Sequence, residues 1–418
     1  MNQLIDDVID RASMSPWTSQ QYPPLAAWVA DNQAPLDLLV AASNRPQFYS
    51  PWPALLHGEP SLGAGLPLDA IQVYREIARA LPVRAMWHAG EGRPLEAWHD
   101  LLALHRLASF CAGQTFVEYL VAIAMSDIAC HDTVTFLCNP NLSADEARQI
   151  LHDLTALPPF PPMADCVDHG ERIVSLGMIL EVATSGGGFT MLDDSPASSN
   201  LLNHVTVDWN IVLTEMNYWF DQLTAALQIA DPVARSAAVN AVFANIQTAQ
   251  ADAWAGSRLM SSVISCRQRG RLVATSAVNF VTPALQSMIA ADNRANTMRD
   301  LTRLAAALAV YRAEHAGYPE KLSHLVPEIL ATLPVDSYHG KPYSYTRTSD
   351  GYLLFSLGEN GTDDGGSNEQ QSIFEGNELN HGESHASDTQ PNIPTGADDI
   401  SIRVPQPPAK PPQALPAQ

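Results

Sequence analysis

Helix-compatible segments follow one another from residue 66 to residue 290, and this series constrains the fold more than any other feature of the chain. Within it, Ile71, Tyr74 and Ala78 recur at the spacing of one helix face. Consecutive segments of this kind pack their apolar faces against one another when they form helices. The sequence therefore predicts an antiparallel helical bundle for residues 66–290.

Prolines and a capping pattern divide this series into separate helices. Ser143 and Glu146 have the spacing of a capping box, which predicts the start of a helix. Pro82 and Pro283 are each expected to end or kink a helix, because proline lacks an N–H and clashes with the preceding turn. The later helices are expected at 165–182, 205–230, 232–255, 258–290 and 297–316.

Residues 1–65 differ from this body because they are rich in proline, tryptophan and small polar residues. A residue that precedes proline is disfavoured in a helix. We therefore expect an irregular N-terminal arm with short helices that lies across the helical body. The large aromatic side chains expected to be buried in this arm are Trp17, Trp28, Phe48 and Trp52.

The charge and cysteine content exclude several classes of protein. The chain has 23 Lys and Arg against 45 Asp and Glu, a net charge of −22, which argues against a protein that tracks nucleic-acid phosphates. Hydrophobic residues make up 46% of the chain, which is enough for a folded core. The five cysteines form no CxxC pair, so we expect buried free thiols rather than disulfides or zinc.

The expected subcellular localisation follows from the distribution of apolar segments. The N-terminus has no basic segment followed by an apolar one, as a signal peptide would. The best apolar candidate, 117–125, is short for a membrane span and contains Glu118. We expect a cytoplasmic protein without a transmembrane segment; the alternative is the cell envelope, if an upstream segment precedes this sequence.

The composition changes after about residue 290, where a C-terminal α+β module is predicted at 291–405. Leu301, Leu304 and Leu308 form the apolar stripe of an amphipathic helix. Aromatic residues then alternate with Gly and Asp turns up to about residue 361, which predicts two or three antiparallel strands. A further short strand is expected at 400–404, followed by a Pro-rich disordered tail at 406–418.

This module resembles the globular domain of type II secretion major pseudopilins. The matching residues are Tyr311, Gly317, Tyr318, Pro319, 333–336, Gly340, Pro342, Tyr343, Tyr345, 352–361 and 363–366. The whole chain is also similar to large helical proteins of planctomycete-type bacteria that end in such a module. The resemblance covers about 100 residues, roughly 297–405. It implies a small antiparallel sheet packed on a helix and a protein-binding role.

Two departures from the pseudopilin pattern affect what the resemblance implies. Pseudopilins begin with a cleavable leader and a long apolar helix. In this chain about 290 other residues precede the module, and we expect no such apolar helix among them. We therefore expect that this protein does not polymerise as a pilin does. The usual Pro-Trp-Gly turn is replaced by Ser-Tyr-His-Gly at 337–340.

The resemblance also implies a calcium site in the loop that follows the last strands. The matching carboxylates are Asp363 and Asp364, together with Asp398 and Asp399 near the end of the module. Hard carboxylate and carbonyl oxygens suit this cation. The alternative is that the acidic loop 362–397 is a solvated, disordered segment that binds no metal.

One polar cluster in the helical body keeps an enzymatic function possible. Asp168 and Arg172 are expected to form an ion pair one helical turn apart, with Glu171 on a neighbouring face. Buried carboxylates beside a base could perform acid–base chemistry, but they more often form a satisfied internal network. The chain carries no HExxH, no G-x-S-x-G and no phosphate-binding loop.

The sequence therefore favours a non-enzymatic scaffold or interaction protein. The module suggests protein partners, such as components of a type II secretion or pilus-like envelope system. The alternative is a hydrolase-type enzyme with a site inside the helical domain around Asp168, Glu171 and Arg172. No cofactor is expected apart from calcium at Asp363, Asp364, Asp398 and Asp399.

Overall fold

The computed structural model describes residues 8–9, 11–49, 68–113, 115–185, 206–256, 265–368 and 396–405. This part of the chain is mainly helical and carries a small antiparallel sheet, as predicted. Trp52, residues 369–395 of the acidic loop and the tail 406–418 lie outside the described residues.

The helices are α1 (Pro23–Asp31), α2 (Gln33–Ser43), α3 (Leu68–Gly90), α4 (Pro94–Cys111), α5 (Phe116–Leu137), α6 (Ala144–Ala156), α7 (Arg172–Ser185), α8 (Trp209–Leu227), α9 (Pro232–Ala253) and α10 (Cys266–His315). A short turn, Met163–Asp165, and a π-helix, Cys166–Glu171, lead into α7. The capping box predicted at Ser143 is present: its hydroxyl accepts from the N–H of Glu146 at 3.3 Å.

The sheet consists of β1 (Ser344–Arg347), β2 (Tyr352–Ser356) and β3 (Ile400–Val404) in the order β1-β2-β3, with both pairs antiparallel. Leu354 on the central strand lies opposite Tyr345 on one side and Ile402 on the other. The buried side chains of β3 alternate with less buried ones, and this face packs against α10. Two or three antiparallel strands were predicted up to about residue 361 and one more at 400–404; β1, β2 and β3 confirm them.

Helix α10 is the largest difference from the sequence-based expectation. Two helices were predicted, at 258–290 and 297–316, with a kink or break at Pro283, but one helix of 50 residues continues through this proline. Thr282 and Leu285, on either side of Pro283, are buried against neighbouring helices. Packing of the flanking turns therefore holds the helix despite the missing N–H.

Two groups of buried residues form the core. The first group joins the N-terminal arm, α4–α6, the second half of α10 and the sheet, and includes Trp17, Trp98 and Leu308. The second group lies among α4, α5, α8, α9 and the first half of α10, and includes Phe220 and Phe243. Because both groups share α10, the predicted domain boundary near residue 291 falls inside a continuous helix.

The N-terminal arm is more regular than predicted, because α1 and α2 occupy much of it. Trp17 is buried as expected, and its indole N–H donates to the carbonyl of Val83 at 3.2 Å. A Cβ on Gly90 would lie only 1.9 Å from the Trp17 carbonyl oxygen, so the close approach requires glycine. Trp28 and Phe48 are partly exposed rather than buried.

One cysteine is placed differently from the expectation, and two helices pass a length-and-composition test for a membrane span. No described cysteine is in a disulfide, but Cys266 is exposed rather than buried. By length and composition alone, α5 and α10 are apolar enough to cross a membrane. In α5 the apolar window is 67% buried, as in a core helix of a soluble protein, whereas in α10 it is 28% buried.

Candidate metal site

Three carboxylates meet at the end of the sheet, where the chain enters β3. Asp364, Asp398 and Asp399 each place one oxygen so that these atoms lie within 4.8 Å of one another. Asp398 and Asp399 come directly before β3, and Asp364 lies in the turn that follows β2. Two chain segments that are far apart in sequence are therefore joined at one acidic cluster.

Backbone N–H groups hold one oxygen of each of the two consecutive aspartates. Oδ2 of Asp398 accepts from the N–H groups of Glu359 and Asn360 at 2.9 and 3.0 Å. Oδ2 of Asp399 accepts from the N–H groups of Asp364 and Gly366 at 3.0 and 2.8 Å. Both carboxylates are therefore fixed in orientation before any ligand binds.

Within the part of the chain that the structure describes, the second oxygen of each of these carboxylates has no hydrogen-bond partner. Oδ1 of Asp398 and Oδ1 of Asp399 are both buried and unpaired, and Asp399 as a whole is 0% exposed. An unpaired buried carboxylate oxygen is costly unless a proton or cation compensates it. These two atoms are the observation that distinguishes the site from an ordinary acidic surface loop.

The electrostatics of Asp399 fit this geometry. The pKa of Asp399 is raised to about 6, mainly by burial; the N–H groups of Gly366 and Asp364 lower it, and the charges of Asp364 and Asp363 raise it. A cation within the cluster would reverse this penalty, because it stabilises the ionised form. A bound cation would therefore lower the pKa of Asp399 and stabilise its ionised form.

Glycine and asparagine residues build the frame around the cluster. Gly358 has a φ of +63°, and a Cβ there would lie 2.5 Å from the carbonyl oxygen of Asp398. The Asn360 amide donates to the Gly396 carbonyl at 3.0 Å, and the Asn368 amide donates to the Asp399 carbonyl at 3.0 Å. Sequence reasoning missed these residues, although the Gly and Asn turn pattern was a signal for them.

Asp363 differs from the other predicted ligands. Its Oδ1 accepts from the N–H of Gly365 at 3.0 Å, and it lies outside the group of three carboxylates. The sequence predicted four carboxylates at 363, 364, 398 and 399, and the structure brings three of them together. The oxygen-only set of Asp364, Asp398 and Asp399 could hold Ca²⁺, since a hard cation prefers oxygen ligands.

In the predicted helical-body cluster, the structure pairs Asp168 with Arg172 but turns Glu171 toward another helix. Arg172 forms the predicted ion pair with Asp168 at 2.5 Å and pairs with Asp221 on α8 at 2.5 Å. Glu171 instead accepts from the N–H of Phe116 at 2.9 Å and so caps the start of α5. Burial raises the pKa of Glu171. The π-helix turns Glu171 toward α5, which an α-helical register did not predict.

Two depressions in the described part of the chain lie away from that cluster. A small space of about 10 Å³ is lined in part by His105, Cys130 and Arg299, and it could hold about one water molecule. A shallow surface depression of about 340 Å³ lies beside Tyr311 and His324. Neither is lined by Asp168, Glu171 or Arg172.

Burial also keeps the Cys130 thiol and the His105 imidazole in this space from acting as a nucleophile and a base. It raises the pKa of Cys130 to about 11 and lowers the pKa of His105 to about 3, so that both groups are neutral near pH 7. The His105 ring lies 3.0 Å from the Thr133 hydroxyl, which satisfies the buried imidazole. This arrangement is that of an internal packing site.

Comparisons with known proteins identify no family and no function for this chain. No family model matches the chain, and neither a curated protein nor a solved structure matches it. A functional assignment therefore rests on the geometry of the described residues, above all on the unpaired oxygens of Asp398 and Asp399.

Proposed function

We propose that this protein is a non-enzymatic scaffold or interaction protein whose C-terminal, pseudopilin-like module is stabilised by a bound Ca²⁺ ion. The observation that carries the calcium proposal is the pair of buried, unpaired oxygens on Asp398 and Asp399, beside Asp364. The order of helix, β1, β2, acidic turn and β3 supports the resemblance to a pseudopilin head.

Calcium suits this cluster better than the other common cations. The donors are carboxylates without histidine or cysteine, which disfavours zinc and copper. Magnesium requires a near-ideal octahedron and keeps most of its water, whereas calcium accepts irregular sets of six to eight oxygens. Three carboxylates from two chain segments form such an irregular set, and backbone carbonyls or water would complete it.

Bound calcium would connect the acidic turn to the last strand. Asp364 lies in the turn after β2, and Asp399 directly precedes β3. Because β3 packs on α10, the ion would stabilise the sheet against the helical body as well. The module would then present a rigid surface, made of the sheet edge and the acidic turn, to a protein partner. The remaining helices would form an antiparallel bundle that supports the module.

The calcium proposal predicts a specific loss of metal-dependent stability. Adding Ca²⁺ at about 100 times its Kd is expected to stabilise the wild-type protein by about 2.7 kcal/mol. Asp399→Asn keeps the shape of the side chain but removes the charge, so this gain should disappear. The measurement is thermal unfolding in EDTA and in calcium, together with isothermal titration calorimetry.

Asp363→Asn is the matched control, because Asp363 lies in the same turn but outside the cluster. It should retain the calcium-dependent gain. Calcium binding should also depend on pH, because the pKa of Asp399 is raised to about 6. As the pH falls below about 6, protons compete with calcium for this carboxylate, and the calcium affinity should decrease. An equal calcium response in the wild type and in Asp399→Asn would contradict the assignment.

The interaction role is tested with the full chain, because a truncation near residue 296 would cut α10 and expose Leu301, Leu304 and Leu308. Wild-type protein in calcium is expected to recover secretion or pilus-like envelope components from native extract, and Asp399→Asn to recover at least about tenfold less. If neither protein recovers such components while calcium still binds, the site is structural and the envelope partner is wrong.

A further inference from the structure

A histidine in the turn before β1 contacts the loop that carries the candidate metal site. His339 belongs to the Ser-Tyr-His-Gly turn at 337–340, which departs from the pseudopilin pattern. Its Nε2 lies 2.7 Å from the carbonyl oxygen of Gly358. Because a carbonyl oxygen only accepts hydrogen bonds, Nε2 carries a proton and is the donor.

A single peptide group joins this histidine to a carboxylate of the site. The carbonyl of Gly358 and the N–H of Glu359 belong to the same planar unit. The carbonyl accepts from His339, and the N–H donates to Oδ2 of Asp398 at 2.9 Å. Hydrogen bonds at the two ends of a peptide group polarise it in the same direction and strengthen each other. The His339 ring therefore supports the bond that holds Asp398.

The same turn also holds the N–H side of Gly358. This N–H donates to the Ser356 hydroxyl at 3.2 Å, and that hydroxyl donates to Oδ2 of Asp336 at 2.7 Å. Asp336 begins the turn that carries His339, and both Asp336 and Ser356 are buried. Gly358 is therefore fixed from both sides in its left-handed conformation, with a φ of +63°.

The histidine ring packs on the loop in addition to its hydrogen bond. A Cβ on Gly361 would lie 3.0 Å from Cε1 of His339, so the ring closely covers the turn at 358–361. Substitution can separate the two contacts. Phenylalanine keeps a flat ring without a donor, and glutamine keeps an N–H donor without a ring.

The orientation of Asp398 depends on this arrangement. The N–H groups of Glu359 and Asn360 occupy its Oδ2, so that Oδ1 is the oxygen left for a cation. Rotation of the 358–359 peptide group would remove one of these donors and release the carboxylate. Loss of a residue that orients a metal ligand typically weakens metal binding by about 10–100-fold.

We propose that His339 is a positioning residue of the calcium site, which orients Asp398 through the peptide group between Gly358 and Glu359 and so increases the affinity for Ca²⁺. This inference rests on the proposed calcium site. It also predicts an effect in the metal-free protein, because the hydrogen bonds that carry it are present before any ion binds.

The first test is calcium titration calorimetry of the full-length protein and its variants at position 339. His339→Phe should bind calcium at least about tenfold more weakly, because it removes the donor. His339→Gln should bind close to the wild-type affinity, since its side-chain amide can donate to the same carbonyl. His324→Phe, which replaces an exposed histidine elsewhere in the module, is the control and should leave the affinity unchanged.

The second test is hydrogen exchange of the 358–361 backbone amides in EDTA, followed by mass spectrometry. These amides should exchange faster in His339→Phe than in the wild type, and His339→Gln should restore the slow exchange. If His339→Phe does not fold, His339→Asn replaces it in both tests, because its shorter amide does not reach the Gly358 carbonyl.

The outcomes distinguish this role from the calcium site itself. Equal calcium affinity in the wild type and His339→Phe overturns the role of His339 and leaves the site. A lower unfolding temperature with unchanged affinity also overturns it, since the histidine is then merely structural. Equal losses in His339→Phe and His339→Gln overturn it as well, whereas a wild type that binds no calcium overturns the site and the role together. Loss in His339→Phe with recovery in His339→Gln supports it.

Discussion

Replacing Asp100 with alanine is expected to lower the free energy of unfolding by about 3–5 kcal/mol, because it leaves a buried guanidinium without its main partner. Asp100 is 2% exposed and Arg84 is 4% exposed. The guanidinium donates twice to the Asp100 carboxylate, at 2.9 and 2.6 Å. The only other carboxylate bonded to it among the described residues is the exposed Asp37, at 2.7 Å.

Asp37→Ala is the matched control for Asp100→Ala, because it removes the exposed partner of the same arginine. It should cost less than about 1 kcal/mol, as exposed ion pairs do. The measurement is urea unfolding of the full chain at neutral pH, with the wild type alongside. Similar losses for the two variants would show that burial of the pair does not determine its contribution.

Leu308→Ala is expected to cost about 2–5 kcal/mol and to destabilise the sheet and the helical body together. Leu308 is 0% exposed and belongs to the core group that joins α4, α6 and the sheet. A cavity at this position removes contacts on both sides of α10 at once. The physical expectation is one cooperative transition at lower denaturant concentration, because one core serves both parts.

The measurement compares two probes of the same unfolding. Far-ultraviolet circular dichroism follows the helices, and near-ultraviolet circular dichroism includes Tyr343 and Tyr352 of the module, which are buried. Leu180→Ala, on the exposed side of α7, should shift neither transition by more than about 0.5 kcal/mol. If Leu308→Ala shifts only one of two separate transitions, the module folds independently of the body.

The sequence predicted most of the local structure because local structure depends on local periodicity. The capping box at Ser143 and the strand at 400–404 were confirmed, since both depend on residues close together in the chain. The ion pair of Asp168 with Arg172 was predicted from its spacing alone. The acidic ligands at 364, 398 and 399 were proposed from their residue type and the resemblance, and the structure places them together.

Other features were decided by contacts between distant segments. Pro283 would interrupt an isolated helix, but buried neighbours on both sides keep α10 helical through it. Glu171 was predicted beside Arg172, yet it caps α5 because the π-helix changes its direction. Phe280 was not singled out by the sequence, since only the packed side of α10 shows that it points outward.

The sequence alone therefore determined most of the helical and strand segments, but not that α10 continues through Pro283, and it determined which residue types could bind a cation. It could not determine which carboxylate oxygens remain unpaired, because Oδ1 of Asp398 and Asp399 is left free only after distant N–H groups have bonded Oδ2. Nor could it determine which face of α10 is covered. Both depend on desolvation by distant segments, and this free energy exists only in the packed chain.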